Sequence, residues 1–254
     1  MDVSKKIALV TGGSRGLGRD MALRLAEKGN DVIITYQSKK DAAEAVVNEI
    51  EKLGQKGAAI FLDTSDFNSL DNFIDQLKTV LNSHWQKDHF DFLINNAGMG
   101  ATIPFEKATA NDFDLFMNVH FKSVYFLIQK SLVLLNNNGR IVNISSGSTR
   151  SFVFGYSIYA SMKGGIETLT KYLAKELGHR GITVNVLAPG PIETDFNNAA
   201  IRNNPERKAL MGTMAALGRV GQANDIGGIV AFLCSEDAGW ITGQRIEASG
   251  GLTL

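Results

Sequence analysis

Ile7-Ala8-Leu9-Val10-Thr11-Gly12-Gly13-Ser14-Arg15-Gly16-Leu17-Gly18 is the stretch from which the fold can be read. An unbroken apolar run of this length suits a strand covered on both faces. The glycines behind it permit a sharp turn, and Leu17, Met21 and Leu25 then repeat at helical spacing. Strand, tight turn and helix make the first half of a βαβ unit. Such a turn also lets a phosphate approach the backbone at the helix N-terminus. Gly12, Gly16 and Gly18 do not have the G-x-G-x-x-G spacing, however, and a tight connection accounts for them equally well.

The alternation continues to the other end of the chain. Apolar runs of strand length recur at residues 32–35, 58–62, 92–94, 141–144, 183–187 and 245–248. Amphipathic stretches separate them, as where Ile226, Ile229, Val230 and Leu233 mark one helix face. With right-handed crossovers this pattern predicts an α/β fold: one domain over residues 1–254, a doubly wound parallel sheet of seven strands with helices on both faces. No repeat, low-complexity tract or linker divides it. Two stretches interrupt the rhythm. Residues 83–89 (SHWQKDH) read as a polar surface loop, and residues 189–215, rich in Pro, Asn and Thr, read as a lid over the strand ends.

Composition narrows the function classes. Lys+Arg and Asp+Glu both number 26 in 254 residues, which removes any global attraction to nucleic acid or anionic lipid. The single cysteine, Cys234, lies in an apolar run and forms no intrachain disulfide, which fits a reducing compartment. Residues 1–6 are polar and lead into a short apolar run, unlike a signal peptide or membrane span, so a cytoplasmic location is expected. His84, His89, His120 and His179 are scattered without metal-ligand spacing, and no metal is expected.

The chemistry-bearing residues lie further along. Tyr159 and Lys163, at i and i+4 near the start of a helical stretch over residues 156–179, project from one face. A free tyrosine has a pKa near ~10, and a neighbouring ammonium lowers it. The same spacing also serves for an ordinary surface contact. Just upstream, Ile141-Val142-Asn143-Ile144-Ser145-Ser146 ends the fifth strand in two hydroxyls, at the edge where open α/β sheets build their sites.

Thr11-Gly12-x-x-x-Gly16-x-Gly18, Asn95-Asn96-Ala97-Gly98, Ser146 ahead of Tyr159-x-x-x-Lys163, and Pro189-Gly190 follow one another in an order that resembles the short-chain dehydrogenase/reductase family across essentially the whole chain. The resemblance implies a Rossmann-type oxidoreductase that moves a hydride between a nicotinamide dinucleotide and a carbonyl/alcohol pair. By the same resemblance Tyr159 is the acid/base, Lys163 its electrostatic partner and Ser146 the donor that orients the carbonyl oxygen. Asn118, in the apolar helix over residues 113–134, becomes the fourth catalytic residue, kinking that helix and holding a relay water.

Cofactor contacts are implied at Gly12, Ser14, Arg15, Gly16, Leu17 and Gly18, and at Tyr36, Gln37 and Ser38. Asp63 with Thr64, Asn95, Ala97 and Gly98, then Pro189, Gly190, Ile192 and Thr194 complete the set, together with Tyr159 and Lys163. Thr35-Tyr36-Gln37-Ser38 lacks the acid that holds an NAD ribose, and Arg15 stands in the glycine turn. NADP(H) is therefore the expected cofactor, with NAD(H) possible.

A 3-oxoacyl thioester reductase and a sugar or polyol dehydrogenase both remain open, as does a catalytically silent NADP(H)-binding sensor. Met99, Arg150, Phe152, Phe154 and Tyr156 suggest a partly aromatic pocket, though packing explains the alternation there too. Resemblance further implies a homotetramer in which the helices over residues 113–134 and 156–179 pair between subunits. Phe116, Phe121, Val124 and Phe126 exceed one narrow stripe, as an interface plus a core requires, although a core alone takes them as well.

Overall fold

The computed structural model describes residues 5–252 and 254; of the polar N-terminal stretch read above, residues 1–4 lie outside the described residues. The strands are β1 (Ile7–Val10), β2 (Asp31–Tyr36), β3 (Gly57–Phe61), β4 (Phe90–Asn95), β5 (Leu135–Ile144), β6 (Thr183–Pro189) and β7 (Arg245–Ala248). They form one seven-stranded sheet in the order β3-β2-β1-β4-β5-β6-β7, with every neighbouring pair parallel. This is the doubly wound sheet expected from the alternation.

Side chains along each strand alternate between two cores. Ile7 and Leu9 face one, where α3 (Ser69–Trp85), α5 (Ser123–Ser131) and α6 (Ser157–Leu177) bring Phe73, Leu77, Leu127 and Ile166. Ala8 and Val10 face the other, where α1 (Gly16–Glu27), α2 (Lys40–Lys52) and α9 (Asn224–Leu233) bring Met21, Leu25, Val46, Ile226 and Val230. Cys234 is buried there, among apolar neighbours.

The structure corrects the reading of residues 83–89 as a surface loop. Ser83, His84 and Trp85 are the last turn of α3, and Leu77, Leu81 and Trp85 continue its buried face at i, i+4, i+8. Trp85 is buried, and its indole Nε1–H donates to Asp31 Oδ2 at 2.9 Å. Only after Gln86, in the left-handed region at φ 52°, does the chain turn away.

The apolar helix expected over residues 113–134 is interrupted. A capping box between Thr109 and Asp112 starts α4 (Ala110–Met117), and a π-helical turn over Asn118–Lys122 then passes into α5. Phe116 and Val124 are buried within the chain and Phe126 packs edge-on against Phe67 at 5.0 Å, so these side chains serve the core. Tyr125, Val133 and Tyr172 are exposed instead. No helix among the described residues is long and apolar enough to cross a membrane.

Candidate active site

The carboxyl ends of β1, β2, β4, β5 and β6 open into a cleft of about 1170 Å³. It lies where the strand order reverses between β1 and β4, because crossovers leaving to opposite faces part there.

The first half of the cleft is built by the glycine turn. Gly12 adopts φ +66°, a conformation that side chains with a Cβ rarely take, and a Cβ on Gly18 would stand 2.2 Å from the Gly12 carbonyl oxygen. Arg15 heads α1 with extended backbone, and no side chain caps the helix, which leaves its first N–H groups facing the cleft for a phosphate. Tyr36, Gln37 and Ser38 line the end of β2 with no acid among them. Asp63 sits beside them; its Oδ1 accepts from Ser65 N at 2.9 Å and Ser65 Oγ at 2.6 Å. Partial burial pushes that carboxyl up, but these bonds and one from Gln37 outweigh it and hold it below the usual range. A dinucleotide phosphate chain fits this cradle.

Of the residues implied for cofactor contact, Ser14, Gly16, Leu17, Thr64, Ala97, Gly98, Pro189, Gly190, Ile192 and Thr194 also line the cleft. Asn95 does not, and its side chain is engaged elsewhere. It is buried at the end of β4, where its Nδ2 donates to Asn143 Oδ1 at 2.8 Å, and Asn143 in turn donates to Thr170. The next residue, Asn96, reaches back to brace the glycine turn, donating to Thr11 O at 2.9 Å.

The second half carries the reactive groups. Tyr159 and Lys163 leave α6 on one face, both buried, with Lys163 Nζ 5.7 Å from the Tyr159 ring centre. Lys163 donates to Ile144 O at 2.7 Å, which anchors it to the end of β5. The Ser146 hydroxyl is hydrogen-bonded to Tyr159 and to Ser148 Oγ, the latter at 2.9 Å. Two hydroxyls thus converge on one point. Ser145 is tied off elsewhere, donating to Glu167 Oε1 at 2.7 Å.

Electrostatics here departs from expectation. Burial raises Tyr159 well above its ordinary value, opposed by the Ser146 bond, and the phenol is held protonated. Burial also pushes Lys163 down to about 8.

Asn118 stands where the expected kink occurs. It begins the π turn half-buried and does not line the cleft. His120, on the same turn, does line it; its ring is fully buried and stands edge-on to Tyr159, with centroids 5.1 Å apart. A histidine inside an apolar helix was the available signal, but periodicity does not say which face of a π-distorted turn points inward. Glu167 and Arg245, joined at 2.8 Å beneath the serine loop, were likewise not apparent from spacing.

Beyond β6, α7 (Phe196–Ala199) and α8 (Pro205–Thr213) overhang the cleft. Asn197 Nδ2 donates to the Tyr156 hydroxyl at 2.9 Å, and the Phe196 ring lies 5.9 Å from that of Tyr159. Phe152, Phe154, Leu210 and Met214 leave the mouth apolar and exposed.

Comparison with known proteins agrees with this geometry. A family model described as enoyl-(acyl carrier protein) reductase matches residues 12–253. The chain is 39% identical over 251 residues to the 3-oxoacyl-[acyl-carrier-protein] reductase FabG of Staphylococcus aureus, covering 98% of each. It is 37% identical over 254 residues to the short-chain dehydrogenase/reductase FrzI of Cladobotryum sp, covering 97% of this chain and 95% of that protein. The crystal structure of the angucycline C-6 ketoreductase LanV with bound NADP superposes with a TM-score of 0.92 at 36% identity, covering 97% of this chain and 95% of that one. Glycine cradle, buried Tyr-Lys pair and full-length similarity together place this chain in the short-chain dehydrogenase/reductase family of oxidoreductases.

Proposed function

We propose that the protein reduces the carbonyl group of a bulky apolar ketone, using NADPH. The observation that carries this reading is the convergence of the Ser146 and Tyr159 hydroxyls on one point in the cleft, with Tyr159 protonated at rest. Two hydroxyls directed at one place suit a single oxygen, and so a C=O bond more than a C=C bond. Ser146 orients that oxygen, and the bond strengthens as negative charge grows on it. Tyr159 gives its proton to the same oxygen, and Lys163 holds the phenolate that results. When bound, the reduced nicotinamide supplies the hydride to the carbonyl carbon.

The absence of an acid beside Tyr36, Gln37 and Ser38 supports NADP(H) over NAD(H), with Arg15 and Lys39 at the cleft to meet a 2′-phosphate. LanV was crystallised with NADP, which accords with this. Phe152, Phe154, Leu210 and Met214 at the mouth favour an apolar substrate over a sugar, which would need donors and acceptors there. The 39% identity to a 3-oxoacyl reductase favours an acyl thioester as the second reading.

Residues 189–215 act as a lid that closes on the substrate. Left-handed φ of 51°, 56° and 57° at Asn197, Asn198 and Ala199 supports this, as strain of that kind collects in segments that change conformation. We place the enzyme in the cytoplasm as a homotetramer.

The test is turnover of NADPH with 2-tetralone, a 3-oxobutyryl thioester and fructose, for wild type and Tyr159→Phe. Wild type should reduce the tetralone best and the sugar least. Tyr159→Phe should bind NADPH normally and lose at least roughly a hundredfold in kcat. Near-normal turnover by that variant would overturn the proton assignment, and tight NADPH binding without turnover of any ketone would favour a sensor.

A further inference from the structure

We infer that Tyr156 and Asn197 form a second polar subsite in the cleft, one that takes a hydroxyl group of the substrate and so selects flat ketones carrying a hydroxyl away from the reacting carbonyl. The inference rests on the proposed reduction and adds to it the point at which the substrate is oriented. Ser146 and Tyr159 fix one oxygen and leave the rest of a bulky ketone free to turn about it. A second fixed point is what presents one face of the carbonyl to the cofactor.

Packing positions the Tyr156 ring. It lies half-buried against the cluster of Phe116, Tyr159 and Met162, edge-on to Tyr159 with centroids 5.5 Å apart. A phenylalanine would pack there equally well, so the hydroxyl needs a reason of its own. That hydroxyl accepts from Asn197 Nδ2 at 2.9 Å and donates to no group among the described residues. Asn197 Oδ1 accepts from none of them, and the remaining bond of its amide, from Nδ2 to Thr102 Oγ1, is 3.5 Å long. The pair therefore presents one donor and one acceptor side by side, and both residues line the cleft. Turning the amide over exchanges the two roles and still leaves a donor and an acceptor. A hydroxyl, which donates and accepts at once, satisfies both; an ether or a carbonyl satisfies one, and a hydrocarbon neither.

The surroundings suit a flat molecule. Phe196, next to Asn197, has its ring 5.9 Å from that of Tyr159, and Gly100 makes room for it, since a Cβ there would stand 2.5 Å from Phe196 Cε1. Tyr156 and Phe196 thus flank the reactive tyrosine with aromatic surface. The Phe152, Phe154, Leu210 and Met214 side chains at the mouth offer a hydroxyl no partner. A hydroxyl placed against them loses its water without replacement, which turns the Tyr156–Asn197 pair into a selector of where the substrate carries its oxygen. Tyr156 stands at the N-terminal end of α6 and Asn197 on the proposed lid, so a hydroxyl seated between them also joins the lid to the site.

Two measurements on the full chain test the subsite. In the first, kcat/KM with NADPH is compared between 2-tetralone and its ring-hydroxylated isomers for wild type, Tyr156→Phe and Asn197→Gly. Phenylalanine keeps the ring, and glycine keeps the left-handed backbone at φ 51°. Wild type should favour one isomer over the parent ketone by roughly tenfold or more, and each variant should lose that preference. The absence of a preferred isomer in wild type would overturn the subsite. So would a preference that survives either substitution with both rates lowered alike, which would assign the pair to holding the lid. In the second, unreactive 2-naphthol and the naphthalenediols with a hydroxyl on each ring are titrated calorimetrically onto the protein loaded with NADP. One diol should bind wild type roughly tenfold more tightly than 2-naphthol does, and Tyr156→Phe should not distinguish the two. Equal affinities in wild type would overturn the subsite whatever the turnover. A wild type that reduces no ketone yet still distinguishes the diol would instead remove the proposed function and leave the subsite standing.

Discussion

Lys163 carries an ammonium into a buried site where the Ile144 carbonyl receives it, and the fold bears the consequence. Its value falls from 10.5 to about 8, so between those two pH values the unfolded chain binds the proton that the folded chain has lost. Stability therefore rises with pH across that window, and below it the penalty is present in full. The gap corresponds to roughly 3 kcal/mol. Lys163→Met removes the penalty but leaves Ile144 O unpaired, so the variant should be about 1–2 kcal/mol more stable than wild type at neutral pH. Urea melts against pH should show the difference shrinking from pH 8 toward 10.5, while turnover is lost. Equal stability at all pH values would show that the lysine is not desolvated. Activity and stability are opposed at this residue, as is common where a charge is buried for use.

At the level of elements, the loop between β5 and α6 keeps its shape because three segments meet on one carboxylate. Glu167 Oε1 accepts from Ser145 Oγ and Thr149 Oγ1, both at 2.7 Å, and from Arg245 Nε at 2.8 Å. Arg245, from β7, extends Nη2 to Ser146 O at 3.3 Å. The serine that meets the substrate is thus held by a residue of α6 and a residue of the edge strand. Partial burial pushes Glu167 up, but its bonds to Ser145, Arg245 and Thr149 bring it below 4.5. Its contribution is therefore present above that pH and is lost as pH falls through the lowered value. Glu167→Gln leaves the Arg245 guanidinium buried with a weakened partner and should destabilise by roughly 2–4 kcal/mol. It should also reduce kcat more than the KM for NADPH, since Ser146 loosens while the glycine cradle is untouched. A variant with normal kcat and lower stability would separate the network from the chemistry.

Across the whole molecule, a bound dinucleotide would touch the glycine turn, the end of β2, α6 and the segment after β6, and so bridge segments far apart in sequence. Arg15 already lies 3.7 Å from Asp195 in that last segment. NADPH at about 100 times its Kd should stabilise the protein by roughly 2.7 kcal/mol and raise Tm by several degrees. It should also slow tryptic cleavage at Arg202, Arg207 and Lys208, which belong to the proposed lid. NADH at equal concentration should do less on both counts. Equal protection by the two cofactors would count against the proposed role of Arg15 and Lys39 at a 2′-phosphate.

Much of this was legible before any coordinates, and for a reason. Alternating apolar runs and amphipathic stretches record which faces must leave water, and that is a local property of the chain, so the strands, the sheet class and the glycine turn followed from it. Spacing put Tyr159 and Lys163 on one helix face and two hydroxyls at a strand end, while their roles and the choice of Ser146 came from the family resemblance. What only the tertiary structure decided depends on partners distant in sequence. Trp85 extends a helix because Asp31 waits for its indole, Asn95 turns inward to Asn143, and a π turn brings His120 to the cleft wall. The charge state of the site is of the same kind, because desolvation is set by everything packed around a group and by no single residue.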